Sequence, residues 1–329
     1  MKKRILPIPI IVILIISLCT TGYTQQKKKP YPEKKPIDLI VPYGPGGSTD
    51  YMARALASVG HEVVGQSVHV RNIPGLSAML GWKAAFNRPA DGYTAILGSW
   101  GPVVAWATGP VEAPIDPTKV LVASIFTVAH FFVFSQPDQP WATWDGFMDY
   151  INQDGYGETI KKLTMGQVMG SLAVALYVFD QMDIMDKIRI VTYDSTADAG
   201  ADLLGGHIHL LPTTIASVAS YLPTKVTPIL ALSDIENPDR DQFRDIKRAV
   251  DMGYKAMSTS RYIAFPPGVP EKILDQWSEW TKKFLEHKTV KKMFRAGGLP
   301  IKYIPRAEAS RQVKASMQAH KEFIPKLFK

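Results

Sequence analysis

The run Ile37-Asp-Leu-Ile-Val41 is a short apolar strand that breaks at Pro42, and a loop carrying Gly44, Gly46 and Gly47 leads directly into a helix-like run, Tyr51-Met-Ala-Arg-Ala-Leu-Ala57. A glycine-rich strand-to-helix turn leaves backbone N–H groups unpaired at the helix start. The helix dipole adds partial positive charge there, favouring an anion by about 0.3–1 kcal/mol, or about 2 kcal/mol when partly buried. The loop therefore suits a carboxylate although it holds no Lys or Arg. It is not a phosphate loop, because the GxxxxGK[ST] spacing and its lysine are missing, and it does not read GxGxxG. Taken alone, the loop is open to a second reading, a tight turn whose glycines only satisfy backbone geometry.

The rest of the chain alternates short apolar runs with helical spacing. Strands are expected at Ser67–Arg71, Thr94–Leu97, twice with a bend within Val120–Phe134, and at Leu163–Gly166, Ile188–Thr192, Ile208–Leu211 and Pro228–Leu232. Helical spacing falls at Ser77–Phe86, Trp141–Ile151, Leu172–Gln181 and Asp198–Leu204, the last ending in the cap signal Gly205-Gly206. Pro270-Glu271 opens a helix with Ile273, Trp277, Trp280 and Phe284 on one face, a stripe that reads as packing. This rhythm predicts an α/β fold with mostly parallel sheets, whose ligands sit beyond the carboxyl ends of strands, where the first glycine loop falls.

Lys2, Lys3 and Arg4 precede an apolar run from Ile5 to Leu18, too short for a membrane span and suited to a secretory signal over residues 1–24, with cleavage after Gly22 or Thr24. Cys19 is the only cysteine. It stands where a bacterial lipoprotein carries its acylated residue, although Leu18 replaces the usual small neighbour; the alternative is a cysteine discarded with the signal. Neither reading gives the mature chain a disulfide. Residues 25–36 are polar and rich in Lys and Pro, and read as a flexible basic linker. Residues 1–36 hold eight Lys/Arg against Glu33, so they carry seven of the eight net positive charges, and the folded part is near neutral. The high pI is thus no argument for nucleic-acid binding.

Several segments resemble the Bug/TctC family, the extracytoplasmic solute receptors of tripartite tricarboxylate transporters. Ile37–Asp50 resembles its first signature, a strand followed by Pro-[Phe/Tyr]-x-Pro-Gly-Gly-x-x-Asp; Ala90–Gly98 resembles its Ala-Asp-Gly-Tyr-Thr signature. Arg71–Gly75 is similar to an Asn-x-Pro-Gly turn, and Val191–Tyr193 with Asp202–Gly206 to a third motif. The resemblance implies a type II periplasmic-binding-protein-like fold: two α/β lobes joined by two crossing strands, with the ligand in the cleft between. By analogy, lobe one is 37–134 plus 259–329 and lobe two 135–258, with crossings near Val133-Phe134 and Tyr262–Ala264.

Carried over by position, Gly46, Gly47, Ser48 and Thr49 would grip a carboxylate through backbone N–H groups with little use of salt bridges. Asp50 and Asp202 would order their loops. Tyr43 and Trp100 would line the cleft wall, and Gln167, Gly170, Ser171, Tyr193, Ser195, Thr196 and Ala197 would supply the facing clamp. Lobe two departs from the pattern. Tyr193-Asp194-Ser195-Thr196-Ala197 replaces Tyr-Lys-Gly-x-Gly, which puts Asp194 near the proposed anion site, and Gln167-Val168-Met169 replaces small polar residues. Val168, Met169 and Trp100 would suit an aliphatic or aromatic tail.

The resemblance implies an exported receptor, with no cofactor and no enzymatic activity, that delivers a small organic acid (a di- or tricarboxylate, or an aromatic acid) to membrane permease subunits; a monomer is the default expectation. A sensing module with a signalling partner is the alternative. A secreted hydrolase would need a nucleophile–base pair, and no such set is recognisable. His207 and His209 alternate on a run that lacks a third metal ligand, and read as surface or core residues.

Overall fold

The computed structural model describes residues 30–76, 78–99, 116–256 and 258–315. Cys19 and the expected signal segment lie outside these residues. A six-stranded sheet in the order β11-β4-β10-β3-β1-β2 forms the first lobe. Its strands are β1 (Ile37–Val41), β2 (Val68–Asn72), β3 (Thr94–Ser99), β4 (Leu121–Ala129), β10 (Thr259–Phe265) and β11 (Ile301–Pro305). Alternation along β1 sends Ile37, Leu39 and Val41 into one core and Ile40 into another on the opposite face. Helix α1 (Ser48–Ala57) and the long helix α9 (Glu271–Glu286) cover the first of these faces. Trp277 and Trp280 lie in that core, as the stripe predicted.

The second lobe is built on β8-β5-β9, with β5 (Phe131–Ser135), β8 (Leu211–Thr214) and β9 (Thr227–Ala231). A parallel pair, β6 (Leu163–Gln167) and β7 (Ile188–Thr192), joins it where the Gly166 amide donates to the Leu210 carbonyl at 2.9 Å. Helices α5 (Met169–Gln181) and α6 (Thr196–Leu204) follow β6 and β7.

The expected lobe boundary after residue 134 falls inside β5, which pairs with β8 and β9. The chain leaves the first sheet at Ala129 and joins the second at Phe131, so His130 alone separates the two. Tyr262–Ala264, expected at the return crossing, instead lies mid-sheet in β10 between β3 and β4. The return takes place between Ala231 and Thr259. A run buried throughout, His130 included, hides such a handover, because both sheets demand buried side chains.

Three other expectations are corrected. The sheets are mixed rather than mostly parallel, since β10 runs antiparallel to both neighbours and β5 to both of its own. Strands that visit the other lobe between visits to a sheet need no parallel crossover. The strand expected at Ile208–Leu211 begins only at Leu211. The described part of the supposed flexible linker, residues 30–36, is docked on the first lobe. Tyr31 sits edge-on to Tyr93 with centroids 5.0 Å apart, donates to the Gly92 carbonyl at 2.9 Å and accepts from Trp277 Nε1 at 2.6 Å. One aromatic side chain with three partners outweighs the polar composition around it. Among the described residues no helix is long and apolar enough to cross a membrane.

Candidate functional site

The first glycine loop is held from behind. Gly46 takes φ +84°, a left-handed conformation that a side chain would strain. Asp50, 4% exposed, accepts from the Gly46 amide at 3.0 Å, from Arg54 Nε at 2.8 Å and from Asn72 Nδ2 at 3.0 Å. Burial opposes ionisation of this carboxyl, but the bonds from Arg54, the Gly46 amide and Asn72 outweigh it and hold Asp50 below the usual carboxylate range. Asn72 also donates to the Tyr43 carbonyl at 3.1 Å. With its carboxylate turned onto these three partners, Asp50 fixes the loop at the start of α1.

The facing loop uses a side-chain cap. Ser195 is the N-cap of α6: its Oγ accepts from the Asp198 amide at 3.2 Å and donates to the Asp198 carboxylate at 2.8 Å. This is half of a capping box: Ser195 caps the Asp198 amide, while the Asp198 carboxylate takes the Ser195 hydroxyl. Ser195, Thr196 and Ala197 meet the first loop directly. A Cβ built on Gly44 would lie 2.7 Å from Ser195 Cβ, one on Gly46 3.1 Å from Ala197 Cβ, and one on Gly47 3.7 Å from Thr196 Oγ1. The glycines allow the two backbones to close on one another.

Between the loops lies a cavity of about 30 Å³ lined by Tyr43, Gly44, Gly47, Ser48, Thr49, Phe131, Val168, Thr196, Thr213 and Arg261. Its walls include the first turns of α1 and α6 and the N-cap residue of α5, Val168. Three helix N-termini, one from the first lobe and two from the second, therefore face one small space. Each carries the positive end of a dipole and first-turn amides without intrahelical acceptors, of which the Ser48 amide donates to Ser217 Oγ at 3.2 Å and the Asp198 amide to Ser195 Oγ at 3.2 Å.

Of the residues expected from sequence, Tyr43, Gly47, Ser48, Thr49 and Thr196 line the cavity, while Gly46, Ser195 and Ala197 form the loop-to-loop contact beside it. Val168 also lines it. Gly170 and Ser171 belong to the first turn of α5, and Trp100 and the side chain of Met169 lie outside what is described. Two expected clamp residues turn elsewhere. Tyr193 donates to Asp202 at 2.6 Å, which pushes its phenol up to about 12 through burial and the neighbouring carboxylate. Gln167, 2% exposed, donates to Thr192 Oγ1 at 3.0 Å. Asp194, which threatened the anion site, is exposed and lies outside the cavity lining, so its charge is solvated. His207 is exposed, and His209 accepts from the Thr164 amide at 3.0 Å.

Sequence reasoning missed Phe131, Thr213 and above all Arg261. Arg261 lies on β10 at 4% exposure, with its guanidinium carbon 5.8 Å from the centroid of the Phe131 ring. Nη1 donates to Thr259 Oγ1 at 2.8 Å, and Nε has no partner among the described residues. Burial pulls this guanidinium below its ordinary pKa, against the opposing influence of Tyr43 and Tyr262. The available signal was an arginine immediately before the apolar run Tyr262-Ile-Ala-Phe265.

Residues 52–327 match the family described as the tripartite tricarboxylate transporter family receptor. The protein BugT of Bordetella pertussis is 26% identical over 295 residues, 88% of each chain. The solved structure of the periplasmic binding protein BugD superposes with a TM-score of 0.80 at 20% identity, covering 90% of this chain and 98% of that one. MatC from Rhodopseudomonas palustris, solved with bound malate, gives a TM-score of 0.77 at 19% identity over 88% of this chain and 99% of that one. At such identities the structures speak for the fold, and the match over residues 52–327 speaks for descent. The chain belongs to the receptor family of the tripartite tricarboxylate transporters and has the two-lobed periplasmic-binding-protein fold.

Proposed function

We propose that the protein is an exported receptor that captures a small organic carboxylate between its lobes and presents it to the permease subunits of a tripartite tricarboxylate-type transporter. The observation that carries this reading is the convergence of three helix N-termini, drawn from both lobes, on one small space between them. Charge-assisted bonds from amides contribute about 1.5–3 kcal/mol each, so a few suffice for tight binding. The malate held by MatC, a protein of the same fold, supports the assignment.

Closure is the mechanism. The space between the loops is small, about 30 Å³, and the loops touch beside it. The lobes therefore separate to admit the ligand and come together on it, swinging about the connections at His130 and between Ala231 and Thr259. Val168 and Phe131 add an apolar wall that suits an aliphatic or aromatic tail. The protein works in the periplasm as a monomer, without a cofactor or covalent step, and Cys19 is its candidate lipid anchor.

Thermal unfolding with aliphatic mono-, di- and tricarboxylates and aromatic acids tests the reading. An acid at 100 times its Kd adds about 2.7 kcal/mol, which raises Tm by at least about 4 °C in a chain of this size. A rise with one class of acid supports the assignment and names the class. The absence of any rise across the panel contradicts it.

A further inference from the structure

Arg261 has no evident structural reason to be where it is. An arginine stays protonated in a protein, and a buried unpaired ion is costly. Such groups are ordinarily matched by a carboxylate, but the groups that influence this guanidinium electrostatically are two tyrosines, Tyr43 and Tyr262. Thr259 satisfies one donor, the Phe131 ring covers one face, and Nε is buried without a partner among the described residues. The same side chain lines the cavity on which the helix N-termini of α1, α5 and α6 converge. The cavity wall thus combines one full positive charge with three partial ones. Asp50, the acid nearest in sequence to the gripping loop, has its carboxylate committed to Gly46, Arg54 and Asn72.

We propose that Arg261 is the residue that reads the charge of the ligand: its guanidinium pairs with a carboxylate held between the lobes. This rests on the receptor reading above and changes its chemistry. The grip is not made by neutral amides alone, so an acid should be separated sharply from its uncharged amide, which could satisfy backbone N–H groups but would leave the arginine unpaired. A site holding a buried ionic group rejects the analogue that lacks the partner charge more strongly than amide contacts alone would. The arrangement also makes closure depend on ligand. Until an anion arrives, the closed cleft buries an uncompensated charge, and opening returns that charge to water.

The experiment is calorimetric titration of the purified protein with aliphatic mono- and dicarboxylates, malate included, each beside its amide. Wild type, R261Q, R261M and R261K are compared, with the Tm of each ligand-free protein recorded. Wild type is expected to bind the acid at least roughly 10-fold more tightly than the amide. R261Q and R261M should weaken acid binding by roughly 10- to 100-fold and narrow the acid–amide gap, while R261K retains part of the preference. The ligand-free Tm of R261M should equal or exceed that of wild type, because an unpaired buried charge has been removed; an arginine needed only for structure would lower it. Acid binding by R261Q or R261M within about threefold of wild type overturns the proposal and leaves the receptor reading intact. Should these variants fail to fold, equal binding of acid and amide by wild type overturns it in the same way. If wild type binds none of the acids, both readings fall together.

Discussion

The two loops that meet across the cleft reach the same result by opposite means. In the first lobe glycine does the work: Gly46 takes a conformation closed to side chains, Gly44 and Gly47 clear space, and Asp50, Asn72 and Arg54 brace the turn from outside the cavity. In the second lobe side chains do it: Ser195 caps α6 through Asp198, and Thr196 faces the cavity with no glycine between Tyr193 and Ala199. Both present a helix N-terminus to the same space. What the anion site demands is the dipole end and its amides; how the backbone is turned to aim them is interchangeable. The departure of lobe two from its family pattern is therefore a change of scaffold at this position, with Asp194 pointed to solvent.

The largest effect that would break the comparison comes from removing the space that the first loop provides. Gly44→Val puts a branched side chain where even a Cβ lies 2.7 Å from Ser195 Cβ, in a backbone conformation that tolerates it. The lobes should then fail to meet, costing the bonds made only on closure and weakening acid binding by roughly 100-fold or more. The ligand-free Tm should hold, because opening relieves the clash. Titration with the preferred acid reads the first and thermal unfolding the second.

Next is the brace. Asp50→Ala removes the acceptor of the Gly46 amide and one acceptor each from Asn72 and Arg54, and should destabilise the protein by about 1–3 kcal/mol in denaturant unfolding. Because the folded carboxyl is held below its ordinary value, its stabilisation is fully present above the unfolded pKa near 3.8 and is lost as pH falls through the folded one. Asp50→Asn should accordingly flatten the loss of stability below pH about 4. Removing the cap of the second loop should matter less: Ser195→Ala should cost about 1 kcal/mol by the same assay and leave the Asp50-dependent pH profile unchanged. Smallest is Tyr193→Phe, which removes the bond to Asp202, at about 0.5–1.5 kcal/mol with little effect on ligand affinity. A large affinity loss there would return Tyr193 to the clamp and overturn the present division of the loop.

Local chemistry made much of this legible. The strand, glycine loop and helix at residues 37–57 declared themselves through an apolar run, a proline stop and three glycines, and the residues of that loop do meet those of 195–197. Sheet membership was not legible: Leu121–Ala129 and Phe131–Ser135 are equally apolar, and only tertiary pairing puts them in different lobes. Tyr193 and Gln167 bond to Asp202 and Thr192, partners the motif does not announce, because a motif position specifies a neighbourhood, not the direction of a side chain. Arg261 was missed for a related reason. It comes from a strand more than 200 residues away from the glycine loop, and no local pattern links the two.

Closure on an acid through contact of the two loops is the central claim, and small-angle X-ray scattering tests it most directly. The radius of gyration of wild type and of Gly44→Val is measured with and without a saturating concentration of the acid that gives the largest thermal shift. Wild type should contract on adding the acid and Gly44→Val should not. A wild type that binds the acid at unchanged dimensions, or a Gly44→Val protein that contracts to the same extent, would contradict it.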